Sequence, residues 1–158
     1  MVAIADVEFR TVRVGDDAEY RAYLRLFWDI PIGLNRYFTR RSDEFIEDWM
    51  RSARTKETDL NSFSAIALHR GAIVGVHILR IYEEYERRGA HIAGLWVSEG
   101  YRGIGIARRL KENGEAWARR IGAEFLNTNV HVEHSQMLRI NEMAGFRPFR
   151  LNMRKDLT

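Results

Sequence analysis

A predicted strand that runs directly into a glycine-containing turn and a helix constrains this chain more than any other feature. The segment "HIAGLWVS" has the composition of a strand, and "YRGIGIARRL" follows it at residues 101–110. Apolar residues then recur on one helical face at Ile106, Leu110 and Trp117, and Gly122 is a predicted helix stop. A helix that begins here presents unpaired amides and the positive end of its dipole to the turn. The segment is therefore either an anion-binding loop or an ordinary tight turn.

The rest of the pattern predicts an α/β domain. "VEFRTVRV" alternates as a strand, two amphipathic helices follow with Asp16 and Asp17 or Ser42 as N-caps, and two apolar strands form a hairpin. After the glycine turn and its helix come the strand "EFLNTNVHV", a short helix closed by Gly145, and a weakly alternating tail that would add one or two edge strands. We expect one domain over residues 1–158, with a mixed central sheet of six or seven strands flanked by about four helices.

Composition narrows the class of protein and its compartment. With 46% hydrophobic and 30% charged residues the chain is typical of a globular protein, and no apolar run approaches the roughly 20 residues of a membrane span. The absence of cysteine excludes disulfides, thiolate metal ligands and a cysteine-bound intermediate. The net charge of +3 is too small, and the arginines too scattered, to predict nucleic-acid binding. We expect a cytoplasmic protein with no secretory signal and no membrane or nucleic-acid partner.

Three features, taken in order and spacing, resemble the GNAT superfamily of acyl-CoA-dependent N-acyltransferases. The phosphate loop of that family, Q/R-x-x-G-x-G/A, is matched by Arg102, Gly105 and Ala107. Its apolar triplet at the end of the preceding strand is matched at 95–97, and the "GF" that ends its last helix is matched at 145–146. The resemblance covers essentially the whole chain. It implies an N-acetyltransferase that moves an acetyl group from acetyl-CoA, as co-substrate, to a primary amine by direct attack in a ternary complex, without a metal.

The resemblance also implies which residues contact the coenzyme. The strand that carries the triplet is expected to splay from "EFLNTNVHV", so that backbone groups of Leu95 and Val97 pair with the pantetheine amides. The pyrophosphate is expected on the amides of residues 103–108. The implied coenzyme-binding residues are Leu95, Trp96, Val97, Arg102, Gly103, Ile104, Gly105, Ile106, Ala107 and Arg108, with His134 and Asn141 at the last helix.

The sequence leaves the general base open. An amine with a pKa of about 10.4 is only about 0.1% neutral at about pH 7.4, so a group that takes its proton is expected. One branch of the family places a glutamate and a tyrosine where this chain has Asn129 and Asn141, so the mechanism of that branch does not transfer. Another branch places a base at the position of His91, which is either that base or a half-exposed strand residue. Glu83 and Glu84 are the rival bases, and Glu84 is also a candidate for binding a cationic substrate.

In this family the acceptor pocket is built by the first two helices and the loop between them. Trp28, Asp29 and Tyr37 are the candidates here, and packing on the sheet is the competing explanation for Trp28. The acceptor amine is expected to be a small molecule or a peptide. Dimers are frequent in the family, and the strand after Phe146 is a candidate edge for a homodimer. A second interpretation, favoured by the two asparagines at the usual acid and base positions, is an acyl-CoA-binding regulatory domain that has lost catalysis.

Overall fold

The computed structural model describes residues 2–32, 38–57 and 61–157, which form two units, Met1–Thr128 and Asn129–Thr158. The first unit holds a sheet and three α-helices, and the second holds one helix. The expectation of a single domain over residues 1–158 stays a prediction. In chain order the elements are β1 (Glu8–Thr11), α1 (Asp17–Asp29), α2 (Asp43–Glu57), β2 (Ser62–His69), β3 (Ala72–Glu84), β4 (Arg87–Val97), α3 (Ile106–Arg120), β5 (Phe125–Thr128) and α4 (Ser135–Met143), with 3₁₀ turns at Ile4–Asp6 and Glu99–Tyr101.

The strands lie in the sheet in the order β1-β2-β3-β4-β5. Neighbours from β1 to β4 pair antiparallel, whereas β5 pairs parallel with β4. Hairpins join β2 to β3 and β3 to β4, and α3 supplies the crossover that a parallel neighbour requires. The prediction of an α/β fold with a mixed sheet is therefore confirmed. Among the described residues no helix is long and apolar enough to cross a bilayer.

The described sheet has five strands, so the prediction of six or seven is wrong. "EFLNTNVHV" is a strand only over its first part, Phe125–Thr128. The tail after α4 contains no strand in the part that the structure describes, through residue 157, and its apolar side chains at Phe149 and Leu151 are 77% and 78% exposed. Alternation of apolar and polar residues marks a strand only where a second strand supplies hydrogen-bonding partners.

The sheet of the first unit is covered on both faces. On one face, Tyr20, Tyr23 and Leu24 of α1 and Ile46 of α2 pack against alternate residues of the sheet that include Ile78. Each fully buried aliphatic side chain in this layer stabilises the fold by about 1.5–3 kcal/mol. On the other face lies α3, which packs closely against the sheet because Gly75 has no side chain at the contact. Its contacts there are Ile106 and Leu110 with Gly75, Leu110 with His77, and Trp117 with Phe63.

Local signals correctly predicted several element ends. The Asp16 carboxylate accepts from the Glu19 amide at 3.1 Å, and the Ser42 hydroxyl oxygen accepts from the Phe45 amide at 3.1 Å, so both predicted helix caps are confirmed. The β2–β3 turn falls at Arg70 and Gly71, with φ of 51° and 81°. Two consecutive residues with positive φ match the twist of the strands that they join.

Candidate active site

The turn between β4 and α3 has a backbone that only glycine adopts without strain. Gly103 has φ of 82° and Gly105 has φ of 98°, both in the left-handed region. Gly105 is the N-cap residue of α3. A Cβ at Gly103 would meet no atom within 4 Å, so the surface above this residue is open. The glycines are therefore required by the turn, and they also leave its backbone accessible.

The amino terminus of α3 differs from those of the two other α-helices in the first unit. Side chains cap α1 and α2, whereas α3 has no side-chain cap bond and no acidic residue in its first turn. The Arg109 amide makes the first helical bond, to the Gly105 carbonyl at 3.0 Å. The amides of residues 106–108 precede that bond and have no partner within the helix. They form a positively polarised opening of the kind that binds anions.

The side chains of the predicted loop residues divide into anchors and exposed groups. Ile106 is 1% exposed and fixes the helix to the sheet, so only its amide can face a ligand. Gly105 is covered on one side by Ile4, whose Cδ1 lies 3.2 Å from the position that a Cβ would take. Arg102 and Arg108 are exposed, and the Arg102 Nε donates to the Val97 carbonyl at 3.0 Å. The arginine of the loop therefore ties the end of β4 to the turn while its charge faces solvent.

The last residues of β4 lie beyond the ladder with β5, and of their backbone groups the Val97 carbonyl accepts from the Arg102 Nε. The Ser98 amide donates to the Val74 carbonyl at 2.9 Å, so the polar groups of Leu95 and Val97 point away from β3. The ladder between β4 and β5 joins Gly89–Ile92 to Phe125–Thr128 and ends before Leu95. Within the first unit, the Leu95 backbone is therefore placed to pair with an extended ligand.

A β-bulge in β4 sets the position of His91. Ile78 pairs with Gly94 but Leu79 pairs with Ile92, so Ala93 is the extra residue. Beyond the bulge His91 lies opposite Arg80 on β3 and opposite Asn127 on β5. Its Nδ1 lies 2.6 Å from the Asn127 Oδ1, and the Asn127 Nδ2 donates to the Tyr82 hydroxyl. By strand alternation from Ile78, these side chains share the face that α1 and α2 cover.

Glu83 and Glu84 lie at the tip of the β3–β4 hairpin. They pair across the ladder with Arg88 and Arg87, and the turn beyond them is formed by two residues with positive φ. Glu83 is exposed, and because it alternates with Tyr82 it points to the sheet face opposite His91. The structure therefore does not bring the two predicted catalytic residues, His91 and Glu83, together. Glu84 shares the face of Tyr82 but is nearer the end of the hairpin.

Trp28 and Asp29 occupy the end of α1. The Trp28 ring meets the rings of Phe45 and Trp49 edge-on at 5.1 Å and 4.8 Å, so it belongs to an aromatic cluster between α1 and α2. The Trp28 Nε1 and the Asp29 Oδ1 are buried and have no hydrogen-bond partner among the described residues. The Asp29 Oδ2 lies 3.7 Å from the Arg40 Nε. The third predicted acceptor residue, Tyr37, lies outside the described residues.

The second unit contains the two coenzyme-binding residues predicted at the last helix. His134 is the N-cap residue of α4 without a side-chain cap bond, and Asn141 is buried on that helix. The Phe146 amide donates to the Asn141 carbonyl at 3.0 Å, and Gly145 has φ of 86°, which confirms the predicted helix end. The roles of His134 and Asn141 toward the coenzyme stay predictions.

Sequence reasoning missed the two partners of His91. Tyr82 and Asn127 lie in predicted strands, and alternation assigns each to a face, but no local signal pairs them with His91. Their juxtaposition depends on the bulge in β4 and on the parallel register of β5. In the part of the chain that the structure describes, no three His, Asp or Glu side chains lie together as possible metal ligands.

A mixed sheet whose fourth strand feeds a glycine turn and an open helix terminus defines a GNAT-type acetyltransferase fold. The sequence matches the acetyltransferase (GNAT) family over residues 20–146, and the chain belongs to that family. No curated protein sequence matches the chain significantly.

Solved structures of acetyltransferases share the fold at low sequence identity. Glucosamine-6-phosphate N-acetyltransferase from Arabidopsis thaliana is 14% identical with a TM-score of 0.70, covering 96% of this chain and 99% of its own. An acetyltransferase from Trypanosoma brucei is 23% identical with a TM-score of 0.69, covering 96% and 100%. An aminoglycoside acetyltransferase from an uncultured soil metagenomic sample is 16% identical with a TM-score of 0.72, covering 98% of each chain.

Proposed function

We propose that the protein transfers the acetyl group of acetyl-CoA to a primary amine by direct attack in a ternary complex. The observation that carries the proposal is the open amino terminus of α3, which follows β4 through Gly103 and Gly105 and lacks the side-chain cap of α1 and α2. The first amides of this helix have no partner within the helix, so they can donate to an anion.

The residues around this terminus fit the diphosphate of a coenzyme. The amides of residues 106–108 can donate hydrogen bonds to an anion. The helix dipole by itself stabilises a negative charge at this position by about 0.3–1 kcal/mol. The exposed guanidinium group of Arg102 adds positive charge beside them, whereas the Arg108 Nε lies 3.8 Å from the Glu112 Oε1. When bound, acetyl-CoA would supply a thioester carbonyl as the electrophile. The free backbone edge at Leu95 would hold its pantetheine arm as an added strand.

His91 is the residue that we assign as the proton acceptor. The ammonium form of an amine has no electron pair with which to attack, and removing its proton costs about 4 kcal/mol at about pH 7.4 for a pKa of about 10.4, so a nearby group that accepts a proton from the amine assists the reaction. His91 lies on the sheet face that α1 and α2 cover, whereas Glu83 points to the opposite face. Histidine is also the side chain whose ordinary pKa lies closest to neutral pH.

Asp29 is the residue that we assign to the acceptor amine. A buried carboxylate oxygen without a hydrogen-bond partner among the described residues attracts a cationic group, and the ammonium form of the acceptor supplies one. Glu84 is a second anionic group for a larger cationic acceptor. Two of the structural neighbours are named for glucosamine-6-phosphate and for aminoglycosides, which supports including amino sugars among the amines tested.

Release of CoA thiol from acetyl-CoA tests this function. The panel of acceptors would contain glucosamine, an aminoglycoside, spermidine, lysine and a short peptide, with binding of acetyl-CoA followed by thermal shift in parallel. Amine-dependent thiol release is expected, and the amine that gives it identifies the acceptor class. Stabilisation by acetyl-CoA without thiol release would favour the regulatory acyl-CoA-binding function. Neither stabilisation nor release would contradict both functions.

A further inference from the structure

We propose that Asn127 is a positioning residue that holds His91 in the one neutral tautomer able to accept a proton through Nε2. The inference rests on the proposed function, because it gives the base of that reaction its orientation. It is carried by a chain of three hydrogen-bonded side chains, Tyr82 on β3, Asn127 on β5 and His91 on β4.

The direction of each hydrogen bond in this chain follows from the chemistry of an amide. The Asn127 Nδ2 donates to the Tyr82 hydroxyl oxygen, which turns the Asn127 Oδ1 toward the His91 Nδ1 at 2.6 Å. An amide oxygen carries no proton, so the Nδ1 must be the donor in that bond. A neutral imidazole has one N–H, and the Nε2 of His91 is therefore left with a free electron pair.

This tautomer is the one that the proposed reaction needs from a base at Nε2. As the amine attacks the thioester, a C–N bond forms, the C–S bond breaks and CoA leaves as its thiolate. An N–H bond of the amine also breaks, and its proton moves to the electron pair of the His91 Nε2, from which it can pass to the thiolate to give free CoA thiol. The imidazolium that forms keeps its Nδ1–H bond to Asn127, and that bond becomes charge-assisted and stronger. With the proton on Nε2 from the start, His91 would present a donor to the amine instead of an acceptor.

The sheet holds the three side chains in register without a flexible connection. The parallel ladder places Asn127 directly opposite His91, and the bulge at Ala93 fixes which residue of β4 takes that position. The Phe125 ring meets the Tyr82 ring edge-on at 5.9 Å, which holds the outer end of the chain. Side chains that project from paired strands are held more precisely than side chains on loops.

The tautomer can be measured directly on the full chain. Long-range ¹H–¹⁵N spectra of protein labelled at histidine nitrogens show which ring nitrogen carries the proton, and His91→Gln assigns the signal. The spectra are recorded at about pH 8.5, because alkaline solution favours the neutral imidazole. The variants are Asn127→Ala, which removes the acceptor, and Asn127→Asp, which keeps an acceptor oxygen. Asn113→Ala on α3 is the matched control.

We expect the Nδ1–H tautomer in the wild type, in Asn127→Asp and in Asn113→Ala, and the Nε2–H tautomer in Asn127→Ala. In the thiol-release assay, with the panel amine that the wild type uses best, kcat of Asn127→Ala should fall about ten- to a hundredfold while KM for acetyl-CoA changes less than about twofold. Should Asn127→Ala fail to fold, Tyr82→Phe is the second variant. It keeps the ring against Phe125 but frees the amide to turn, so it should lower the Nδ1–H population.

A wild-type His91 protonated on Nε2, or a tautomer unchanged by removal of the Asn127 acceptor, would overturn the inference. A changed tautomer with an unchanged kcat would overturn the catalytic importance of Asn127. If the wild type neither binds acetyl-CoA nor releases thiol, the proposed function fails and the catalytic role fails with it, whatever the tautomer. The two failures are therefore distinguishable.

Discussion

Acidification should destabilise the fold through His77, a buried histidine on β3 that the proposed reaction does not use. Its side chain is 1% exposed, and burial lowers its pKa from the ordinary 6.5 to about 4. Its Nδ1 donates to the Leu110 carbonyl of α3 at 2.9 Å, and its Nε2 is buried without a partner among the described residues. Charging this ring would therefore bury an imidazolium with only one of its two N–H groups bonded.

The magnitude follows from the two pKa values. Between pH 6.5 and about 4 the unfolded chain binds a proton at this position that the folded protein does not bind, so stability falls as the pH falls. At about pH 4 the free energy of unfolding should be lower by about 3 kcal/mol than at neutral pH from this residue alone. That is a large share of the roughly 5–15 kcal/mol that stabilises a domain of ordinary size.

Urea unfolding at a series of pH values tests this magnitude when the wild type is compared with His77→Gln. Carboxylates titrate in the same range, but they are common to both proteins, so the difference between the two curves isolates His77. His131→Gln, at a histidine whose side chain is 59% exposed, is the matched control and should follow the wild type. A wild-type and a His77→Gln curve that stay parallel within about 1 kcal/mol from pH 7 to pH 4 would refute the reasoning.

Two substitutions of glycine test the packing of α3 against the sheet and the backbone strain at its N-cap. Gly114→Ala should destabilise the fold by about 1–3 kcal/mol, although alanine has the higher helix propensity. The reason is that the new Cβ would lie 2.6 Å from the His77 Cε1 and 2.8 Å from the Leu79 Cδ1. Thermal unfolding measures the effect, and an unchanged or raised Tm would contradict the prediction. Gly105→Ala should lower the free energy of unfolding by about 1–3 kcal/mol, because φ at this residue is 98°. Gly100→Ala is the control, since a Cβ at Gly100 would meet no atom within 4 Å. Equal unfolding free energies of the two variants would show that the turn is not strained.

Features with a local chemical cause could be predicted from the sequence. Asp16 and Ser42 cap helices because their oxygens reach amides three residues along the chain, and Gly145 ends α4 because it adopts positive φ. The glycine turn before α3 was equally visible, since its glycines and the helix that follows lie within ten residues. These features identify the family, and the proposed coenzyme site rests on them.

Features that depend on pairing between distant strands could not be predicted. The extra strands in the tail were wrong because alternation at Phe149 and Leu151 says nothing about the presence of a partner strand. His91 on β4 and Asn127 on β5 are separated along the chain by α3 and the segments on either side of it. Their contact also requires a bulge that shifts the register of β4 by one residue. A shift of one residue reverses every side chain between faces, so the faces of His91 and Glu83 follow only from the observed ladder.

Binding of acetyl-CoA to a variant of α3 tests the central claim most directly. Ala107→Glu places a carboxylate in the first turn of α3, where it should stabilise the helix slightly but compete with the pyrophosphate for the open amides. Ala116→Glu makes the same change on the exposed surface of the same helix, nine residues or about 14 Å further along. By calorimetric titration, Ala107→Glu should bind acetyl-CoA at least about tenfold more weakly than the wild type, with Ala116→Glu unchanged. Equal affinity of a folded Ala107→Glu and the wild type would contradict the account, because the coenzyme would then bind elsewhere.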